Sequence, residues 1–220
     1  MTKTARLRAH LRLAIRDHGF LRVFWLNMSE IAPGVWRSNQ PTPGRMRLYA
    51  KMGLKAVLNL RGGGNPAPGR YSPERAAADK AGLKIHSLAM KALKPASREC
   101  LLDLLTIFET IERPFVMHCK SGSDRTGVAA ALWLLHMEGR SPAEARTMLS
   151  LRYLHLRAGR AGIQSRLIDQ YAAQNAISML SVKDWIINYY DPKSLLGGGD
   201  TVAGPIASPP LSLPAPSPPV

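Results

Sequence analysis

Between residues 54 and 190 the chain alternates short apolar runs with longer stretches in which apolar residues recur every three or four positions. The run Leu54–Leu60 is apolar and β-branched enough to predict a buried strand. Ser72, Pro73 and Glu74 supply a cap, a first-turn proline and an acidic residue, and Gly82 supplies the matching helix end. Leu83–Met90 predicts a second strand. Ser97 caps a helix whose Leu101, Leu104, Leu105, Phe108 and Ile111 share one face. Phe115–His118 is a third, short strand, and a helix from about Arg125 to Met137 follows, apolar nearly all round and therefore buried. Ser141-Pro142-Ala143-Glu144 has the capping-box pattern, and helices fill most of 163–190. Strands alternating with helices argue for an α/β fold: a central, mostly parallel sheet of four or five strands with helices on both faces.

The two ends read differently. Residues 4–18 predict a basic helix, with Arg8, Arg12 and Arg16 on one stripe and Leu7, Leu11, Ala14 and Ile15 beside it. Such a helix either packs on the domain or touches an anionic membrane surface. Residues 192–220 hold eight of the seventeen prolines and too little apolar surface to fold, so they read as a disordered tail. The expected organisation is a basic lead-in over 1–27, a domain over 28–191 and the tail.

Charge adds a bias toward anions. Thirty Lys and Arg face fifteen Asp and Glu, a net charge of +15. That field attracts phosphorylated substrates or acidic surfaces, or else coats a generally basic exterior. Two cysteines cannot build a disulfide framework, which favours a reducing compartment, and the cytoplasm is the default location. No apolar run is long enough to span a bilayer, and the N-terminus lacks an uninterrupted signal-type apolar core.

Chemistry concentrates in His118-Cys119-Lys120-Ser121-Gly122-Ser123-Asp124-Arg125-Thr126-Gly127, between a predicted strand and a predicted helix. Ligands of parallel sheets bind at such junctions. A loop there can aim successive backbone N–H groups inward while the helix adds its positive end, which makes a cradle for a phosphoryl group. Gly122 lets the backbone turn where a side chain would clash. A free cysteine has a pKa of about 8.5, and helix N-termini and cations lower it, so Cys119 is expected as the thiolate nucleophile. Arg125 can hold two phosphoryl oxygens with its planar fork. Thr126 can donate its hydroxyl to the sulfur, and His118 can fix the loop through backbone hydrogen bonds. Ser121, Gly122 and Ser123 fall within the cradle. Lys120 either contacts a second anionic group or points to solvent.

The spacing His-Cys, five residues, Arg, Thr at His118, Cys119, Arg125 and Thr126 resembles the cysteine-dependent protein tyrosine and dual-specificity phosphatase superfamily. More weakly, Arg37-Ser38-Asn39-Gln40-Pro41 and Leu58-Asn59-Leu60-Arg61 resemble the opening of its bacterial dual-specificity-like members. The resemblance implies their α/β sandwich and a two-step reaction through a phosphocysteine, with no metal and no cofactor.

The sequence departs from that family in one place. Many members carry an aspartate acid in a separate loop some thirty residues before the cysteine. Here that stretch is Ala89–Ala96, without a carboxylate. Asp103, Glu109 and Glu112 read as solvated helix residues. Asp124 remains as the candidate acid, as the resemblance to phosphoinositide-directed and some bacterial tyrosine phosphatases implies. Otherwise Asp124 is a structural partner within the loop, or the proton comes from solvent. Lys91, Lys94, Arg61 and Arg70 could line the rim, and Gly62–Gly64 reads as a mobile turn. Cys100 reads as a buried helical cysteine or, less readily, as a redox partner of Cys119. The leading reading is a phosphatase for phosphotyrosine or dual-specificity protein substrates. A phosphoinositide or other phospholipid phosphatase is the second, and a catalytically idle phosphate-binding module the third. Nucleic acid is not expected as a partner.

Overall fold

The computed structural model describes residues 26–62, 72–158 and 162–196. The expected helix over 4–18, Arg70, Gly63, Gly64 and most of the expected tail lie outside the described residues.

The elements in chain order are β1 (Ser29–Ala32), β2 (Val35–Ser38), α1 (Pro43–Lys51), β3 (Ala56–Asn59), α2 (Pro73–Ala81), β4 (Lys84–Ser87), α3 (Arg98–Thr110), β5 (Phe115–His118), α4 (Asp124–His136), α5 (Pro142–Arg146), α6 (Ile163–Ser178) and α7 (Val182–Asn188). Two short 3₁₀ turns lie at Leu151–Tyr153 and Ser194–Leu196. The five strands pair in the order β1-β2-β5-β3-β4, with β1 antiparallel to β2 and the other pairs parallel. This is the predicted α/β architecture.

Alternation along the strands sends side chains to two cores. Val57 and Val116 meet Met46 and Tyr49 of α1 and Ala78 of α2 on one face. Ala56, Leu58, Phe115 and Met117 meet α3, α4 and the later helices on the other. Every residue from Thr126 to Leu134 is buried, as the all-round apolar character of α4 requires. Trp133 anchors this layer, edge-on to Phe108 and Phe115 with ring centroids 5.0 Å away in each case.

The helix starts follow the sequence signals. Ser72, Ser97 and Ser141 each accept a hydrogen bond from the N–H three residues on, and Glu144 completes the capping box. Gly82 closes α2 in the left-handed conformation. Four differences from the sequence reading have physical causes. The β1–β2 hairpin was not predicted, because β1 is a polar edge strand held by a turn at Gly34. Helix α1 was not predicted either, because only Met46 and Tyr49 give it an apolar face, although Thr42 and Pro43 mark its start. The helical stretch 163–190 is broken at Met179, which takes a positive φ before Ser181 caps α7. The packed chain also runs past the boundary expected at Asp191. Leu195 is buried, and its carbonyl accepts from Arg166 Nε at 3.1 Å.

β5 is the central strand, in register with Ser38 of β2 on one side and Asn59 of β3 on the other at His118. The chain after His118 therefore leaves the middle of the sheet at its carboxyl edge and runs into the N-terminus of α4.

Candidate active site

The loop between β5 and α4 is held from behind through its carbonyls. His118 Nδ1 reaches the Cys119 carbonyl at 3.1 Å and the Gln40 N–H reaches that of Lys120 at 3.3 Å. Asn27 Nδ2 reaches that of Ser121 at 3.0 Å, and Arg37 Nη2 that of Gly122 at 2.6 Å. Four consecutive carbonyls are thus drawn to donors outside the loop. In a trans peptide the C=O and the following N–H point in opposite directions. The amides of Lys120, Ser121 and Gly122 therefore face away from those donors, as an anion cradle needs, while the Ser123 N–H donates to Ser121 Oγ at 3.4 Å.

Gly122 is essential to this path. Its φ is +76°, and a Cβ there would lie 2.8 Å from the Ser38 carbonyl oxygen and 2.9 Å from the Asn39 nitrogen. At Gly62 the φ is +67°, and a Cβ would press to 2.7 Å from that of Ala89, so a side chain is disfavoured there.

Cys119, the first residue of the loop, is 2% exposed and borders the larger core. Arg125, in the first turn of α4, is half-buried and donates from Nη1 to the Met90 carbonyl at 3.3 Å. Its Nε and the Thr126 hydroxyl are buried with no hydrogen-bond partner among the described residues. Buried donors left in that state cost about 1–3 kcal/mol each, and an oxyanion in the cradle is the kind of group that would satisfy them. Ser123 is buried, and its hydroxyl donates to the Leu154 carbonyl at 2.7 Å, so that side chain braces the loop. Ser121 is exposed and Lys120 half-buried.

The brace behind Cys119 continues outward. His118 Nε2 lies 2.8 Å from Glu74 Oε1, and Gln40 Nε2 donates to Glu74 Oε2 at 3.1 Å. Both His118 partners are acceptors. Burial works to raise the Glu74 pKa, but the neighbouring His118, Gln40 and Arg61 outweigh it and hold the carboxyl below its ordinary range. Arg61 Nη1 in turn donates to Gln40 Oε1. A cavity of about 220 Å³ beside this network is lined by Gln40, Asn59, Arg61, Gly62, Ser72 and Glu74 among others.

Arg37 is fully buried. Besides Gly122 it donates from Nη1 to the Met148 carbonyl at 2.8 Å, and its guanidinium carbon lies 3.5 Å from the Tyr153 ring centroid. Burial holds its pKa down to about 10, partly offset by Tyr153 and Cys119, so it remains a cation near neutral pH.

Asp124 lies at the first position of α4 with its side chain 22% exposed, and Oδ1 is 2.8 Å from His155 Nδ1. The carboxylate-free segment 89–96 sits nearby. It supplies the Met90 carbonyl to Arg125, and Gln164 Nε2 lies 3.3–3.5 Å from the carbonyls of Lys91, Ala92 and Lys94. Lys91 and Lys94 are exposed on it. Two of the other acidic candidates are engaged in ion pairs elsewhere rather than merely solvated. Glu109 pairs with His136 and Lys183, and Glu112, past the end of α3, pairs with Lys55. Asp103 is exposed on α3. Cys100 is partly buried and forms no disulfide, and burial with Asp103 and Glu99 nearby raises its thiol pKa.

Sequence reasoning singled out neither Glu74 nor His155 as part of the site, and it gave Arg37 and Gln40 no role. A signal existed for Glu74, in the second position of a proline-started helix. His155 lies in irregular chain and had none.

Residues 32–139 match the model of a family described as polymorphic toxin system, DSP-PTPase phosphatase. The dual specificity protein phosphatase TpbA of Pseudomonas aeruginosa is 27% identical over 116 residues, covering 52% of this chain and 49% of that protein. The chain thus spans about half the length of the curated relatives it matches. The crystal structure of P. aeruginosa TpbA superposes with a TM-score of 0.50 at 22% identity, covering 69% of this chain and 91% of that one. The catalytic core of the PP-IP phosphatase SIW14 of S. cerevisiae, in complex with citrate, gives 0.52 at 20% identity, covering 72% and 93%. The chain is therefore related to the dual-specificity phosphatases over the segment holding the loop, and its fold is that of the phosphotyrosine phosphatase-like proteins. No helix among the described residues is long and apolar enough to cross a membrane.

Proposed function

We propose that this relative of the dual-specificity phosphatases is itself a cysteine-dependent phosphatase, hydrolysing phosphomonoesters through a phosphocysteine. The observation that supports this reading is the loop from Cys119 to Arg125, four of whose carbonyls are held by donors outside it. The cradle amides and the Arg125 fork hold the phosphoryl oxygens. The Cys119 sulfur attacks phosphorus, so an S–P bond forms and the ester P–O bond breaks. Asp124 gives its proton to the departing oxygen. Water then attacks the phosphocysteine, Asp124 takes a proton from that water, the S–P bond breaks, and the Thr126 hydroxyl supports the sulfur as it leaves.

The substrate class we favour is a phosphorylated protein, with dual specificity, acted on in the reducing cytoplasm, where two free cysteines are at home. The catalytic unit we take to be residues 28–191, against which Leu195 also packs.

The test is hydrolysis of an aryl phosphate by the protein and by Cys119→Ser. Cys119-dependent turnover is expected. Phosphate binding without turnover would instead favour the idle binding module. A phosphotyrosine peptide compared with a phosphoinositide panel then separates protein from lipid substrates.

A further inference from the structure

Asp124 is not an isolated loop carboxyl. Oδ1 meets His155 Nδ1 at 2.8 Å, and the other ring nitrogen, Nε2, meets Ser165 Oγ at 2.7 Å. The His155 side chain is 0% exposed, and Ser165 is buried in the first turn of α6. The three groups form a chain of contacts from α6 to Asp124 at the start of α4. Ser123 Oγ is also near Oδ1, at 3.3 Å, but the Leu154 carbonyl at 2.7 Å is its closer partner, so His155 is the main holder of the carboxyl.

A hydroxyl can donate or accept, and one assignment of the ring suits an acid. Ser165 can donate its hydroxyl to Nε2, which leaves the ring proton on Nδ1, pointing at Asp124 Oδ1. An Oδ1 occupied by that N–H cannot itself carry the acid's proton. The proton then resides on Oδ2, which no described residue engages. An acid whose second oxygen is tied into the interior delivers its proton from one defined place.

We infer that His155, set by Ser165, is the positioning residue of the leaving-group acid: it pins Asp124 through Oδ1 and leaves Oδ2 to donate. The inference rests on the proposed phosphatase reading with Asp124 as acid. It adds to the active site a residue thirty positions beyond Arg125.

The experiment measures kcat for aryl phosphates of graded leaving-group pKa with the full chain and with His155→Ala, His155→Asn, Asp124→Asn and the double variant Asp124→Asn/His155→Ala. General acid catalysis is worth about 10²–10⁴-fold, so His155→Ala should slow the poorest leaving group by at least ~30-fold and the best by less than ~3-fold. His155→Asn, whose amide can replace Nδ1–H, should recover much of the loss. The double variant should be no slower than Asp124→Asn, because both changes remove one function. Equal slowing for all leaving groups, or additive losses in the double variant, would overturn the inference while leaving the phosphatase reading intact. Lack of any Cys119-dependent turnover in the unaltered protein would defeat both. Should the His155 variants not fold, ¹⁵N NMR of the unaltered protein decides: the inference requires a protonated Nδ1 and an unprotonated Nε2, and the opposite tautomer would overturn it.

Discussion

The Arg37 guanidinium donates to the Gly122 carbonyl at 2.6 Å from a position with no solvent exposure. A strand residue eighty-five positions away in sequence thus sets the direction of a loop peptide. The same side chain ties down Met148 and packs flat on Tyr153, so one cation joins β2, the loop and the chain after α5.

Replacing Arg37 should therefore weaken both folding and catalysis. Arg37→Ala leaves the buried Gly122 carbonyl and the part-buried Met148 carbonyl without this donor, an expected cost of about 2–5 kcal/mol in urea unfolding. Arg37→Lys keeps the charge but not the planar fork, and should recover less than half of the stability. Urea midpoints of the two variants check this, with equal stability of Arg37→Lys and the unaltered protein as the contrary result.

Gly122→Ala should be as damaging as a change at a catalytic residue. The new methyl group would meet the Ser38 carbonyl at 2.8 Å in a backbone conformation that alanine rarely adopts. Strain of this kind costs about 1–3 kcal/mol before any clash, and relief requires the loop to move away from β2. The expected outcome is a fall in kcat/KM of roughly 10²-fold or more with a lower thermal midpoint. Unchanged kinetics would show that the loop path tolerates a side chain.

Glu74 predicts a pH dependence. Its folded-state pKa lies below the ordinary carboxylate value of 4.5 despite burial, because His118, Gln40 and Arg61 stabilise the charge. In acid the unfolded chain therefore binds more protons at this site than the folded one. The stability from Glu74 is complete above about pH 4.5 and is lost as pH falls through the lower folded-state value. Glu74→Gln should lower stability at pH 7 and flatten its decline below pH 4.5, as read by urea unfolding across pH. An unaltered acid-side slope would contradict the assignment.

Much of this was legible in the residues, and unevenly. Serine caps at 72, 97 and 141 and the buried helix after Arg125 follow from local chemistry, which side-chain hydrogen bonds and all-round apolarity make strong. The motif His118–Thr126 located the loop for the same reason: its chemistry is contiguous. What holds the loop is not contiguous. Asn27, Arg37 and Gln40 reach it across the sheet edge, Glu74 from another helix and His155 from irregular chain. No periodicity marks such residues, because their partners are set by tertiary packing. The β1–β2 hairpin was missed for a related reason, since a half-exposed edge strand of four residues carries little apolar signal.

The most direct test of the account is acid quench during turnover of an aryl phosphate, followed by peptide mapping. The account predicts a phosphoryl group on the peptide containing Cys119, accumulating further in Asp124→Asn on a substrate with a good leaving group and absent in Cys119→Ser. Turnover that persists in Cys119→Ser, with no phosphoryl group on that peptide in the unaltered protein, would contradict it.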